Sequence, residues 1–466
     1  MKKLLNFLAI VFIISLTGCA KYTDITPKGQ NLLNRVGDLD LLMNVDYSGS
    51  AFNFNKETLL IDDNYLYAVN VPNTISSNVL TLDKVFLTYN ESADRAALTP
   101  TDAQYEGFYK IISTVSNIIL ANADNASGDL SLKKQLKAEA YIIRAYLHYL
   151  LVNIYAKAYD PATAATDGGI PYVKDINFEK ANAKLTVKEV YDNILSDLES
   201  SMALNALPDQ PKNSMRAGKG FAYAVKTKVL MSMRDYSGAL NAVNTALTFN
   251  STIEDHRTLL SVPKASRVLS RNGLNASDNL FYSYYNNYDP TIYAPTYEIL
   301  NNYYEPGNII KDSTNVYNYG FGFFFVGLAN IPVWYQVTYQ GNSAGMTTSD
   351  LIMMKAECLI RTNKVNEGMD EINKIRIRRI APYSPLVAST EAQAMAYLQK
   401  VSRIEFLFTW RNFVDLKRWN KEGIYPVAVA RTINGTTYSL PANSKLWVFP
   451  FPQSATQFNE NLTQNY

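Results

Sequence analysis

The chain has 466 residues, 47% hydrophobic and 18% charged, with a formal net charge of +2. That balance excludes a disordered chain and leaves room for a large buried core, and the near-neutral charge gives no basic face for nucleic acid. Tyrosine is the outlier, with 33 against four tryptophans and two histidines; its ring and hydroxyl suit sugar stacking, peptide gripping or loop packing.

In chain order, Lys2 and Lys3 precede an apolar run from Leu4 to Leu16, closed by Leu16-Thr17-Gly18-Cys19. The run is shorter than the ~20 apolar residues of a transmembrane helix, so residues 1–18 are expected to be a signal peptide. Leu-Thr-Gly-Cys resembles a bacterial lipobox, which implies cleavage before Cys19 and acylation of that cysteine. Acyl chains contribute ~0.8 kcal/mol per buried CH2, enough for a durable anchor. Residues 19–36 then form a polar tether. Cys358 is the other cysteine, so no disulfide is expected, and its apolar neighbours predict a buried side chain.

Helices dominate from residue 99. Asp38 to Asn44 predicts a short helix before a loop-rich stretch, 46–98, whose most distinctive piece is Asp62-Asp63-Asn64-Tyr65-Leu66-Tyr67. Thr99-Pro100-Thr101-Asp102 reads as an N-cap, a proline at N1 and an acid at N3, opening a helix to about Asn122. Residues 131 to about 156 are apolar almost all round and should be interior. Thr186-Val187-Lys188-Glu189 is a capping box. Residues 214–234 and 236–249 predict a tight helical hairpin, and its pattern returns 129 positions later around Cys358-Leu359-Ile360 and Ile372-Asn373. Paired hairpins of this kind bury one another's apolar faces, as tetratricopeptide units do. Residues 281–340 break the pattern, with 18 aromatics in 60 positions against 12% for the whole chain. They favour strand or irregular structure.

A final long helix is expected from Glu391 to about Lys417. It carries Phe406, Trp410, Phe413 and Leu416 at helical spacing, interleaved with Arg403, Glu405, Arg411, Asp415 and Arg418. Charges this close to large aromatics predict partly buried ion pairs rather than a solvated face, with the five charged residues forming a structural clamp to the irregular lobe.

Catalytic motifs are thin. Gly341-Asn342-Ser343-Ala344-Gly345 matches G-x-S-x-G, but both histidines, His148 and His256, precede the serine, whereas a nucleophile elbow needs its histidine after it. S-x-x-K occurs at Ser131 and Ser261 without its companion motifs. The sequence contains no phosphate loop, dinucleotide fingerprint or H-E-x-x-H, and so few histidines and thiols argue against zinc. A glycosidase needs only two carboxylates, for which Asp62, Asp63 and Glu405 are nominal candidates. No catalytic residue, metal or cofactor is assigned.

The lipobox, Tyr22-Thr23-Asp24-Ile25-Thr26-Pro27-Lys28-Gly29, Glu139-Ala140-Tyr141-Ile142-Ile143-Arg144-Ala145, Gly168-Gly169-Ile170-Pro171, Met354-Lys355-Ala356-Glu357-Cys358, Ile372-Asn373-Lys374-Ile375-Arg376, the 403–419 motif and Phe449-Pro450-Phe451-Pro452 together resemble the SusD/RagB family, in order and over nearly the whole chain. Where members commonly carry Phe-Glu-Gly, this chain has Phe408-Thr409-Trp410. The resemblance implies a mainly α fold: tetratricopeptide-like hairpins, here about 99–250 and 348–419, packed against an irregular loop-rich lobe with few short strands. A single domain over 37–466 is expected, with its aromatic insert at about 270–345. The resemblance further implies a lipid-anchored outer-membrane protein, facing the cell exterior, that captures oligosaccharide or peptide for a SusC-like TonB-dependent β-barrel. A surface glycan hydrolase and a structural adaptor are the alternatives. The residues expected to line a ligand site are Asp63, Tyr65, Tyr67, Tyr284, Tyr285, Tyr288, Trp334 and Tyr335.

Overall fold

A computed structural model of the chain describes residues 33–64, 71–177, 181–263, 273–285, 295, 296, 298–311, 342–433 and 435–466. Of the expected site residues, Cys19, Tyr65, Tyr67, Tyr288, Trp334 and Tyr335 lie outside them, as do the expected signal peptide, most of the tether, Gly341 and most of the aromatic insert.

The architecture is mainly helical. Eight helices carry it: α1 (Leu130–Tyr155), α2 (Val187–Ala203), α3 (Lys219–Ser232), α4 (Tyr236–Leu247), α5 (Thr348–Arg361), α6 (Val365–Arg376), α7 (Glu391–Glu405) and α8 (Trp410–Glu422). α1 packs on α2, α3 on α4 and α5 on α6, while α4 also packs on α5 and α7 on both α5 and α6. Successive hairpins therefore stack in the tetratricopeptide manner, although about a hundred residues separate the second hairpin from the third. One hydrophobic core runs from Tyr47 to Leu462 and draws on every helix from α1 to α8. α1 is its axis: it is buried almost continuously from Leu136 to its end, with Glu139, Arg144, His148 and Asn153 buried among its apolar side chains.

The strands are short antiparallel pairs: β1 (Gly168–Pro171) with β2 (Lys184–Thr186), β3 (Asn279–Phe281) with β4 (Met346–Thr347), and β5 (Val429–Ile433) with β6 (Thr436–Leu440). In β5 the residues alternate, with Val429, Arg431 and Ile433 inward, as half-buried strands do.

Local sequence accounts for most boundaries. The Thr186 capping box is present, its hydroxyl accepting from Glu189 N–H while Glu189 accepts from Thr186 N–H. The helix expected from 214 begins at Lys219, and the short helix expected over 38–44 spans Val36–Leu42. Two further differences bear on the site. The helix after Pro100 starts at Ala103 with Asp102 as its cap, its Oδ1 accepting from Gln104 and Tyr105 N–H. Thr99 instead donates its hydroxyl back to Arg95 O at 2.9 Å. The single helix expected from Glu391 to about Lys417 is two. It breaks at residues 406–409, where Phe408 sits in the left-handed region at φ 65° and Thr409 is extended as the N-cap of α8. The elbow turns Trp410 Nε1 (3.3 Å) and Arg411 Nη1 (2.6 Å) onto the carbonyl of Gly345. Gly345 must be glycine, because a Cβ there would lie 2.0 Å from Phe281 O and 2.4 Å from Asn342 Oδ1.

Candidate ligand cleft

A cavity of about 140 Å³ opens at the α7–α8 elbow. Its far wall is the segment 298–311, whose Ile299, Leu300, Tyr304 and Ile310 form a separate apolar cluster against Ile404 and Leu407 of the elbow. Both ends of that wall are tied down. Thr296 Oγ1 donates to Asp62 O at 2.7 Å. Farther along, Ile309 N–H donates to Arg379 O and Ala381 N–H to Gly307 O, each at 2.9 Å. Gly307 has φ +79°, and a Cβ there would meet Ala381 O at 2.8 Å, so the close approach depends on glycine.

Aromatic rings and polar groups share the cleft. Tyr303 and Phe408 are half-buried in its lining, with Tyr304 behind them. Its acids are paired. Glu305 receives three bonds from Arg376, at 2.9, 3.2 and 2.7 Å; Glu405 receives two from Arg379, at 2.9 and 2.7 Å. Burial raises the Glu405 pKa, but the Arg379 charge and its hydrogen bonds outweigh it and hold the carboxyl below its usual range. Such a site offers stacking faces and fixed donors and acceptors.

The five charged residues of the 403–418 motif all make ion pairs. Arg403 binds Asp63 and the carbonyl of Ile61. Its guanidinium also lies 5.1 Å from the centre of the Tyr303 ring, a cation–π distance. Arg411 pairs with Asp350 at 2.9 Å. Asp415 pairs with Lys228 at 2.7 Å, and Arg418 with both oxygens of Glu357, at 2.8 and 2.7 Å. Their targets differ from expectation: Asp415 and Arg418 reach helices α3 and α5, and only Arg403 and Arg411 reach the loops around 61–63 and 342–345.

The expected ligand residues are placed unevenly. Asp63 is fully buried, held by Arg403 and by Asn412 Nδ2 at 2.8 Å. In this structure Asp63 is the counter-ion of Arg403, the guanidinium that lies against the Tyr303 ring. Tyr284 and Tyr285 are half-buried and do not line the cavity, although Tyr285 N–H donates to Ser343 Oγ at 3.4 Å and Ser343 does. Tyr303, Tyr304 and Phe408 line the cavity and are not among the residues expected from the sequence. Their signal was present in Tyr303-Tyr304-Glu305-Pro306-Gly307, two tyrosines set against a Pro-Gly turn.

The G-x-S-x-G stretch has a structural use. Asn342 Nδ2 donates to Asn279 Oδ1, Phe281 O and Met346 O, and its Oδ1 accepts from Ser283 and Gly345 N–H. These bonds pin the stretch to β3. His256 shares the cavity with Ser343, yet its Nε2 faces Glu254 at 3.3 Å, and no hydrogen bond joins it to Ser343 among the described residues. His148 is fully buried, stacked on Tyr172 with centroids 3.8 Å apart. Burial drops its pKa to about 3, so it is neutral.

Residues 47–231 match the model of a SusD-like family described as starch-binding and associating with the outer membrane, and residues 276–466 match that of the SusD family. The chain belongs to the SusD/RagB family. Its fold is shared by a SusD superfamily protein from Bacteroides thetaiotaomicron (16% identity, TM-score 0.69, covering 93% of this chain and 100% of that one). It is also shared by a SusD superfamily protein from Bacteroides vulgatus (17%, 0.67, 93% and 99%) and by a SusD-like carbohydrate binding protein from the same species (15%, 0.64, 92% and 97%). No curated protein matches the sequence. No helix among the described residues is long and apolar enough to cross a membrane, and no group of three or more His, Cys, Asp and Glu among them is placed to hold a metal.

Proposed function

We propose that this SusD/RagB protein is a binding lipoprotein of the outer membrane that captures oligosaccharide and passes it to a SusC-like TonB-dependent β-barrel. Residues 1–18 direct export, Cys19 carries the lipid, and the tether over 19–36 leads to a single domain over 37–466 that faces the cell exterior. The observation that carries the reading is the cleft at the α7–α8 elbow. Half-buried Tyr303 and Phe408 offer ring faces there, beside acids already paired with arginines. Sugars stack on such rings through their C–H faces and bond laterally to the polar groups. A shallow aromatic site also suits a protein that must release its ligand again. Carbohydrate-binding relatives of the same fold support sugar over peptide, and family membership supports the barrel partner.

Isothermal titration against neutral and acidic oligosaccharides and mixed peptides tests this, with chromatography of the mixture afterwards. Saturable glycan binding with no product formed is expected. Glycan cleavage would favour the hydrolase, peptide binding alone would reassign the ligand, and no binding of either would favour the adaptor.

A further inference from the structure

The cleft is one of two adjoining hollows. A second, of about 250 Å³, lies between the 298–303 segment and helices α7 and α8, and the two share Tyr303 and Lys400 in their linings. Any ligand that extends from one hollow to the other must pass these two side chains.

The charges around that junction are unequal in one respect. Arg376, Arg379, Arg403 and Arg411 each have a carboxylate partner: Glu305, Glu405, Asp63 and Asp350. Glu298, an exposed acid of the second hollow, accepts from Asn302 Nδ2 at 2.6 Å. Lys400 is half-buried and makes neither a hydrogen bond nor an ion pair among the described residues. The Tyr303 hydroxyl likewise has no hydrogen-bond partner among them, while the Tyr303 ring rests against the fixed Arg403 guanidinium. Among the described residues, then, an ammonium and a phenol without hydrogen-bond partners both line the two hollows where they meet, and together they supply donors for an anionic oxygen group. Charge-assisted bonds of this type are about twice as strong as neutral ones.

We infer that the ligand is an acidic oligosaccharide, and that Lys400 and Tyr303 receive a sugar carboxylate while neighbouring units occupy the two hollows. This rests on the glycan-binding reading above and adds the charge of the ligand to it. A carboxylate is planar and presents two oxygens, one for the ammonium and one for the phenol. The sugar rings of the flanking units would stack on Tyr303 and Phe408.

The test is titration of the full chain with a galacturonic acid hexamer, a sulfated hexasaccharide and a neutral hexamer, repeated with Lys400→Gln and Lys400→Arg. The uronate is expected to bind roughly tenfold tighter than the neutral sugar. That preference should vanish in Lys400→Gln, survive in Lys400→Arg and weaken with added salt. Equal affinity for neutral and uronate ligands, or an unchanged preference in Lys400→Gln, would overturn the inference and leave glycan binding intact. Preference for the sulfated ligand would overturn the carboxylate assignment. Binding of acidic peptides with no saccharide bound would overturn both this inference and the glycan reading.

Discussion

Arg403 and Asp63, 340 positions apart in the chain, form an ion pair in which neither side chain is more than 3% exposed. The pair joins the end of α7 to the loop after Leu60, and Tyr303 of the ligand cleft rests on its cationic half. Burying two charges costs about as much as their attraction returns, so such a pair fixes geometry more than it adds stability. We propose that it sets the position of the Tyr303 ring.

Asp63→Ala should leave Arg403 buried without its hydrogen-bonded carboxylate, holding only the Ile61 carbonyl and the more distant charge of Asp62, which is already paired with Arg431. A loss of about 3–5 kcal/mol is expected in urea unfolding, the range for breaking one half of a buried pair. An unchanged midpoint, with ligand binding lost, would instead return Asp63 to the list of ligand contacts.

Asp415 has two cationic neighbours, Lys228 at 2.7 Å and Arg418 at 3.3 Å. Burial raises its pKa, but Lys228 and Arg418 outweigh this and hold it below the usual carboxylate range. Asp415→Ala should lower Tm and expression, by a similar 3–5 kcal/mol on the stability scale. The double variant Lys228→Met with Asp415→Leu should recover part of that loss, because no unpaired charge remains. A double variant as unstable as the sum of the singles would show that the two residues are not coupled.

Phe408 combines a left-handed backbone with a side chain in the cleft. That conformation costs a residue with a Cβ roughly 1 kcal/mol relative to glycine. Phe408→Gly should therefore be more stable than Phe408→Ala by about that amount, while both lose ligand affinity through the missing ring. If Phe408→Ala were the more stable of the two, the elbow would not depend on this backbone conformation.

Much of this could be read from the sequence. The capping box at Thr186, the apolar surround of α1 and the recurring hairpins are local signals, and each appears where the spacing put it. The elbow was not legible. Phe406, Trp410 and Phe413 keep helical spacing straight through it, and the break depends on Phe408 accepting a left-handed φ in a place where a glycine would have announced it. The ion pair of Asp63 was not legible for a related reason. A carboxylate beside tyrosines looks like a sugar contact, and its true partner lies across 340 residues, where spacing carries no information. The cleft itself is assembled from segments near 255, 305, 378 and 408, which only the tertiary fold brings together.

Glu57 predicts an unusual pH response. It is fully buried, and burial, reinforced by the Asp102 charge, pushes its pKa up to about 8. Between its ordinary pKa of 4.5 and about 8, the unfolded chain loses this proton while the folded chain keeps it. Stability from this residue is therefore present at acid pH and declines as pH rises through that window, levelling off above it. Glu405 and Asp415, with lowered values, act in the opposite direction and lose stability as pH falls through the carboxylate range. Glu57→Gln should flatten the decline, raising Tm at pH 8 relative to pH 5. An equal Tm change at both pH values would show that Glu57 does not titrate in this window.

The most direct measurement is a crystal structure of the chain grown with a bound oligosaccharide. Sugar density between Tyr303 and Phe408 at the α7–α8 elbow, extending toward Lys400, is the predicted result. Sugar bound only elsewhere on the surface, with this cleft empty, would contradict it.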